Sequence, residues 1–163
     1  MNSIDRPKQR HIERKGDMLP EIIKILITGI LFLQAFAHGV AFVALVNDAR
    51  SAGQPAVPVR SWLLPTLAPR TAALVASLFW LLATIGFVAI ALTFWEATIP
   101  AEQWRQLAAA TAIISTLGIA LFSGIWPGAP NRKLSSIDTA IALAINVALL
   151  VLLLVGWLPG TLW

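Results

Sequence analysis

One histidine and two amides stand inside long apolar stretches of this sequence and could carry chemistry. Gln34 and His38 lie one helical turn apart in the first apolar stretch, and Asn146 lies near the middle of the last. An imidazole can relay protons, bind a metal or exchange hydrogen bonds, and an amide offers both a donor and an acceptor. Because polar side chains in an apolar setting are costly, these three residues form the candidate site for ligand binding or interhelical contact.

Three roles for His38 are compatible with its position. The favoured role is a neutral imidazole that donates to a backbone carbonyl or to Asn146 and so holds two helices together. The second is proton relay or ligand binding, and the third is axial ligation of a haem or a chlorin magnesium. A bis-histidine haem within the chain is excluded, because the only other histidine, His11, lies in a polar segment.

The sequence lacks the residues of many catalytic and metal sites. Cysteine and tyrosine are absent, which excludes thiol chemistry, disulfides and iron–sulfur ligation. Metalloprotease, nucleophile-elbow and P-loop patterns are absent as well. Beyond the first twenty residues the carboxylates stand near the ends of apolar stretches, at Glu21, Asp48, Glu96, Glu102 and Asp138. We therefore predict no catalytic residue, no metal site and no resident cofactor, with a quinone, lipid or chlorin as the ligands to consider.

Four apolar stretches set the architecture. The chain has 163 residues, 58% hydrophobic and only 12% charged, and a spanning helix needs about 20 apolar residues. Residues 25–46, 71–95, 107–126 and 139–157 meet that length without an internal charge. They predict an all-α integral membrane protein, a bundle of four transmembrane helices over approximately 19–48, 70–96, 101–126 and 136–158. Residues 1–18 are predicted as a polar basic tail and residues 19–163 as the transmembrane domain.

The ends of these helices are marked by proline and tryptophan. Pro20, Pro69 and Pro100 stand near the predicted starts of the first three, where a missing N–H costs no helical bond. Tryptophan stands at or near the predicted ends and is expected to form an interfacial belt, at Trp95, Trp104, Trp126 and Trp157. Small and hydroxyl residues at helical spacing, such as Thr111, Ser115 and Gly118, predict close helix packing.

The distribution of positive charge predicts the orientation. Seven basic residues fall on the amino-terminal side of the predicted bundle and five on the other, so both termini are expected in the cytoplasm. Arg10, Arg14 and Lys15 are expected to bind anionic lipid headgroups. The charge is local to the tail, so no nucleic-acid partner is predicted.

Residues 29–39, which read GILFLQAFAHG, give the first helix a family resemblance. A glycine, an apolar run with phenylalanine, a small residue and then a histidine resemble the opening helix of DoxX-like small membrane proteins. The chain departs from that pattern at the start of the helix, where it has Lys24 and no arginine. The resemblance implies a four-helix bundle of a bacterial inner membrane, linked in some members to quinol oxidation.

Two functions follow from these features. The first is a non-catalytic structural or assembly subunit of a larger membrane complex, whose partners are the lipid bilayer and other membrane subunits or further copies of itself. The alternative is a binder or carrier of a quinone or lipid that uses Gln34 and His38 as its polar anchor. A membrane enzyme is the least favoured, because no catalytic constellation is visible.

Overall fold

The chain is helical over most of the part that a computed structural model describes, which is residues 6–50, 61, 63–93, 103–122 and 132–155, with side chains for residues 21–50, 61, 63–93, 103–122 and 135–155. Within these residues it forms four helices, α1 Arg6–Arg50, α2 Pro69–Thr93, α3 Trp104–Leu121 and α4 Arg132–Leu154. Each helix contains a stretch long and apolar enough to cross a bilayer, with mean hydropathies of 2.0, 2.4, 1.2 and 2.5 in chain order. The predicted all-α class with four such helices is confirmed.

The first helix starts earlier than its apolar stretch does. α1 begins at Arg6, inside the segment predicted as a polar tail, and it runs through Pro20. Lysine, arginine, glutamine and glutamate have good helix propensity, so a helix can continue past the limit of its apolar residues. α2 begins at Pro69, where the sequence places a proline start. The division of the chain at residue 18 stays a prediction.

Helices that follow one another in the chain pack side by side, α1 on α2, α2 on α3 and α3 on α4. α1 also meets α4, because the Gln34 Nε2 atom lies 3.5 Å from the backbone oxygen of Ala142. At the carboxy-terminal end of α4, the Arg105 guanidinium of α3 donates to the backbone oxygen of Leu153 at 3.3 Å. The start of α3 therefore lies beside the end of α4, as expected of antiparallel neighbours.

The buried apolar residues form two clusters along the bundle. The cluster nearer the start of α3, which we call the proximal cluster, is centred on Leu31, Phe87, Trp104 and Leu149. The cluster nearer the end of α3, the distal cluster, consists of the buried residues around Leu45, Trp80, Ile119 and Phe122. Alanines make up about half of both clusters, and such small side chains let helix backbones approach closely.

One of the tryptophans predicted at a helix end is buried between helices. Trp104 is the first residue of α3, as the prediction of a helix end requires, and its side chain is only 2% exposed and belongs to the proximal cluster. The same cluster contains alanines of α2 and α3, and burial of a large indole among them stabilises the bundle. Trp95, Trp126 and Trp157 lie outside the described residues, so the predicted belt stays a prediction.

α2 and α3 approach each other closely at two glycines. A Cβ atom added to Gly86 would overlap the side chain of Thr111, and one added to Gly118 would lie 2.8 Å from the Cβ atom of Phe79. The spacing between these helices therefore depends on the absence of side chains at the two positions.

Candidate functional site

A layer of polar side chains crosses the bundle between the two apolar clusters. It consists of Gln34 and His38 on α1, Ser115 on α3 and Asn146 on α4, and we call it the polar layer. None of the four is more than 3% exposed. On each of these helices, the layer lies between residues of the proximal cluster and residues of the distal cluster. The bundle thus places its most polar interior groups near its middle.

The hydrogen bonds of His38 define its tautomer. Its Nδ1 atom lies 2.8 Å from the backbone oxygen of Gln34, which can only accept, so Nδ1 carries the proton. In a neutral imidazole the other nitrogen is then an acceptor, and His38 Nε2 lies 2.8 Å from Ser115 Oγ. The Ser115 hydroxyl therefore donates to His38 and links α3 to α1.

Asn146 completes the layer from the fourth helix. Its Nδ2 atom donates to Ser115 Oγ at 2.8 Å and lies 3.3 Å from Thr116 Oγ1. The Asn146 side chain is fully buried, and its Oδ1 atom has no hydrogen-bond partner among the described residues. Ser115 is consequently the centre of a directed chain of bonds that runs from Asn146 through Ser115 to His38 and ends on the Gln34 carbonyl.

The second helix contributes aromatic walls. The ring centroids of Trp80 and Phe87 lie 6.5 Å and 5.4 Å from that of His38, with interplanar angles of 35° and 53°. Both rings are tilted relative to the imidazole, and their bulk beside it limits its rotation. All four helices therefore help to hold His38 in one orientation.

The predicted site residues come together through Ser115, which the sequence analysis assigned to close helix packing and not to the site. Gln34, His38 and Asn146 are all buried in the bundle. The ring nitrogens of His38 lie within hydrogen-bond distance of the Gln34 backbone oxygen, which is a carbonyl partner of the kind predicted, and of the Ser115 hydroxyl. The sequence contains one signal for Ser115: it stands near the middle of its apolar stretch, as His38 and Asn146 do in theirs. The three residues are therefore expected at a similar depth in the bundle.

The hydrogen bonds of His38 limit its use as a metal ligand. Both ring nitrogens of His38 already lie 2.8 Å from protein partners, so axial ligation of a haem or chlorin would require the bond to Ser115 to break. In the part of the chain that the structure describes, no three His, Asp or Glu side chains are placed to hold a metal ion. The side chains of Arg10, Arg14 and Lys15 lie outside the described side chains.

Comparison with known proteins adds no relative: no family model, curated protein or solved structure matches the chain. The resemblance of residues 29–39 to DoxX-like proteins stays a prediction.

Proposed function

We propose that this chain is a multi-pass protein of a bacterial inner membrane and a non-catalytic structural or assembly subunit of a larger membrane complex. The observation that carries the proposal is a contrast between the interior and the outer surface. The polar layer is used for bonds between helices, whereas α4 presents a broad apolar face that no other described helix covers.

The bonds within the polar layer favour a structural role for the candidate site. In a bilayer, water cannot satisfy a buried donor or acceptor, so a hydrogen bond between two buried groups of the protein is favoured. Ser115 joins α1, α3 and α4 in this way. Interhelical bonds of this kind contribute about 0.6 kcal/mol each on average and up to roughly 2, which is enough to fix the helices in register.

The outer surface of α4 supplies the contact area for a partner. Only 17% of the residues in its most apolar stretch are buried, against 44% for α2. Its exposed side includes large apolar residues, such as Ile141, Val147 and Val151. Alanines follow one another at a spacing of four residues along the same side, at Ala140, Ala144 and Ala148. We call these residues the α4 outer face; such a pattern favours close packing by another transmembrane helix.

Photocrosslinking from the membrane tests this assignment. A diazirine amino acid at Val147, whose side chain is 55% exposed, should form an adduct with a protein partner in native membranes, either another subunit or a second copy. The adducts are identified by mass spectrometry.

The matched control is the same amino acid at Leu78 of α2, which is 58% exposed and should react mainly with lipid. If Val147 also yields only lipid adducts, the α4 outer face is not a subunit interface.

We further propose that both termini lie in the cytoplasm, with Arg10, Arg14 and Lys15 at anionic headgroups. Each such contact stabilises this orientation by about 1 kcal/mol. Single cysteines replacing Ser3 and Gly160 should then resist a membrane-impermeant thiol reagent in intact cells, and a cysteine replacing Ala56 should react.

Replacing Arg10, Arg14 and Lys15 together by glutamine should make the Ser3→Cys position reactive in a fraction of the molecules. Full labelling of Ser3→Cys in the otherwise unchanged protein would reverse the proposed orientation.

A second candidate function rests on a groove between α1 and α2. The groove has a volume of about 630 Å³ and is lined by Phe32, Ala35, Phe36, Gly39, Val40, Phe42, Val43, Thr84 and Val88. The hydroxyl of Thr84 is already used, because it donates to the backbone oxygen of Trp80 at 2.7 Å. A hydrocarbon or isoprenoid tail of a lipid or quinone suits such a surface. Gln34 and His38, the expected polar anchor, do not line the groove.

Filling the groove tests this alternative. A Cβ atom at Gly39 would meet Thr84 at an ordinary 3.7 Å, so Gly39→Leu should be tolerated and should reduce a co-purifying lipid or quinone. Gly29→Leu is the control, because nothing lies within 4 Å of its added Cβ atom and Gly29 does not line the groove. Equal amounts of bound lipid in both variants would exclude the groove as a specific site.

A further inference from the structure

The groove between α1 and α2 has room for a lipid chain but no polar group to hold a headgroup. It opens on the outer surface of the bundle, where Phe36 and Val43 are 70% and 54% exposed. Its volume of about 630 Å³ falls within the range of about 300–1,000 Å³ that is typical of ligand sites. The hydroxyl of Thr84 already donates to the backbone oxygen of Trp80. The headgroup of a bound lipid must therefore find its partners at an end of the groove.

Arg50 stands at one end of the groove wall that α1 provides. It is the last residue of α1, and its side chain is exposed. At about 100° per residue, Arg50 lies within about 20° of the groove residues Gly39 and Val43 around the helix axis. Asp48, the carboxylate nearest to it in the sequence, falls about 160° away from Arg50 by the same spacing. The face of α1 that lines the groove thus ends in a positive charge.

Arg70 stands at the corresponding end of the wall that α2 provides. It is the second residue of α2, and its side chain is also exposed. By helical spacing it lies within about 40° of the groove residues Thr84 and Val88. The end of α1 packs beside the start of α2, because Ala49 and Ala72 are buried in the distal cluster. Both arginines therefore lie at the same end of the groove.

The two guanidinium groups are suited to a phosphate. Within the described part of the chain, neither Arg50 nor Arg70 forms an ion pair or a side-chain hydrogen bond with another residue. A guanidinium presents several N–H donors in one plane, which match the oxygens of a phosphate. The charge at this end of the groove therefore complements a phospholipid headgroup, whereas a quinone has no group of opposite charge to offer.

The distance between the arginines and the groove corresponds to the depth of one leaflet. Along α1, Gly39 lies about 16 Å from Arg50, and along α2, Thr84 lies about 21 Å from Arg70, at about 1.5 Å per residue. The hydrocarbon core is about 30 Å thick, so the acyl chains of each leaflet cover about half of it. An acyl chain whose headgroup lies at the two arginines therefore reaches the groove.

We propose that the groove holds one acyl chain of a phospholipid whose phosphate is bound by Arg50 and Arg70. This assignment rests on the second candidate function above, a lipid site in the groove, and specifies the class of lipid. The lipid comes from the leaflet at the carboxy-terminal end of α1. The two arginines take the role of polar anchor that the sequence suggested for Gln34 and His38.

The test uses the full chain, freed of lipid, in non-ionic detergent. One probe is phosphatidylglycerol with a diazirine in the terminal third of one acyl chain, and the other is diacylglycerol with the same chains and no phosphate. After illumination, peptide mass spectrometry measures labelling of residues 32–43 as a function of probe concentration. Phosphatidylglycerol should reach half-maximal labelling at a concentration about 25-fold lower than diacylglycerol does, as expected for two arginine–headgroup contacts.

Charge-removing variants identify the phosphate ligands. Arg50→Gln and Arg70→Gln should each raise the half-maximal concentration of phosphatidylglycerol about fivefold, and together about 25-fold, without changing that of diacylglycerol. Arg105→Gln is the matched control, because it removes one exposed charge at the opposite end of the bundle, and it should leave both values unchanged. Melting curves of the variants check that the bundle is intact.

The outcomes separate the phosphate site from the groove itself. Equal half-maximal concentrations for the two probes, or no change in the variant that lacks both arginines, would overturn the phosphate site while leaving the groove as a lipid site. Labelling of Gly39→Leu equal to that of the unchanged protein would exclude the groove, and the phosphate site with it. A diazirine amino acid at Phe36 should crosslink to lipid in native membranes, and a crosslink to another protein chain instead would also overturn the proposal.

Discussion

Replacement of His38 by leucine should lower the free energy of unfolding by about 1–3 kcal/mol, the cost of one or two buried hydrogen bonds left incomplete. Leucine cannot accept from Ser115, which connects the imidazole to α3, and cannot donate to the Gln34 carbonyl of its own helix. The loss is measured by SDS titration of the purified protein. The packing of α1 against α4 should weaken together with the stability.

Two variants separate hydrogen bonding from other roles of His38. His38→Gln should recover much of the loss if hydrogen bonding is the role, and little if the imidazole binds a ligand or carries protons. Ser115→Ala removes a hydroxyl that joins three helices, whereas Ser77→Ala removes one that bonds within its own helix. Ser115→Ala should therefore be the more destabilising of the pair. Equal stability of His38→Leu and the unchanged protein would show that the polar layer does not hold the bundle.

Replacement of Gly86 by alanine should destabilise the bundle by about 1–3 kcal/mol, the usual cost of overpacking. The added methyl group would overlap the Thr111 side chain, so α2 and α3 must move apart. Gly29→Ala is the matched control, since nothing lies within 4 Å of its added Cβ atom. It should be neutral or stabilising by up to about 1 kcal/mol, because alanine is the better helix former.

The effect of Gly86→Ala should be partly reversed by shortening its neighbour. Thr111→Ala in the Gly86→Ala background removes the atoms that the new methyl group meets, and the double variant should be more stable than Gly86→Ala alone. If Gly86→Ala and Gly29→Ala have equal stability, α2 and α3 do not approach as closely as described.

The helical class of the fold was predictable from the sequence because length and hydropathy determine it. An apolar stretch such as residues 71–95 must satisfy its backbone internally in lipid, and a helix does so. The start of α1 was less predictable, since hydropathy marks the limit of an apolar stretch whereas helix propensity allows the helix to continue to Arg6. The burial of Trp104 was missed because residue type alone does not show whether a neighbouring helix covers a helix end.

Only part of the candidate site could be predicted from the sequence. Gln34, His38 and Asn146 stand out because polar side chains in apolar stretches are rare and costly. Serine does not stand out, because its hydroxyl can bond to its own helix, as that of Ser77 does. The role of Ser115 depends on how α3 is registered against α1 and α4, where it meets His38 and Asn146. Such pairings join residues far apart in the chain, so spacing within one helix cannot reveal them.

The central claim, that the chain is a subunit of a larger membrane complex, is tested most directly by native mass spectrometry of the protein extracted from its own membranes in nanodiscs. We predict an assembly of defined stoichiometry that contains at least one further chain. A bulky Ala144→Trp change on the α4 outer face should reduce the recovery of this assembly. A monomer of 17.6 kDa that carries only lipid or a quinone, unaffected by Ala144→Trp, would contradict it and favour the groove between α1 and α2 as the functional site.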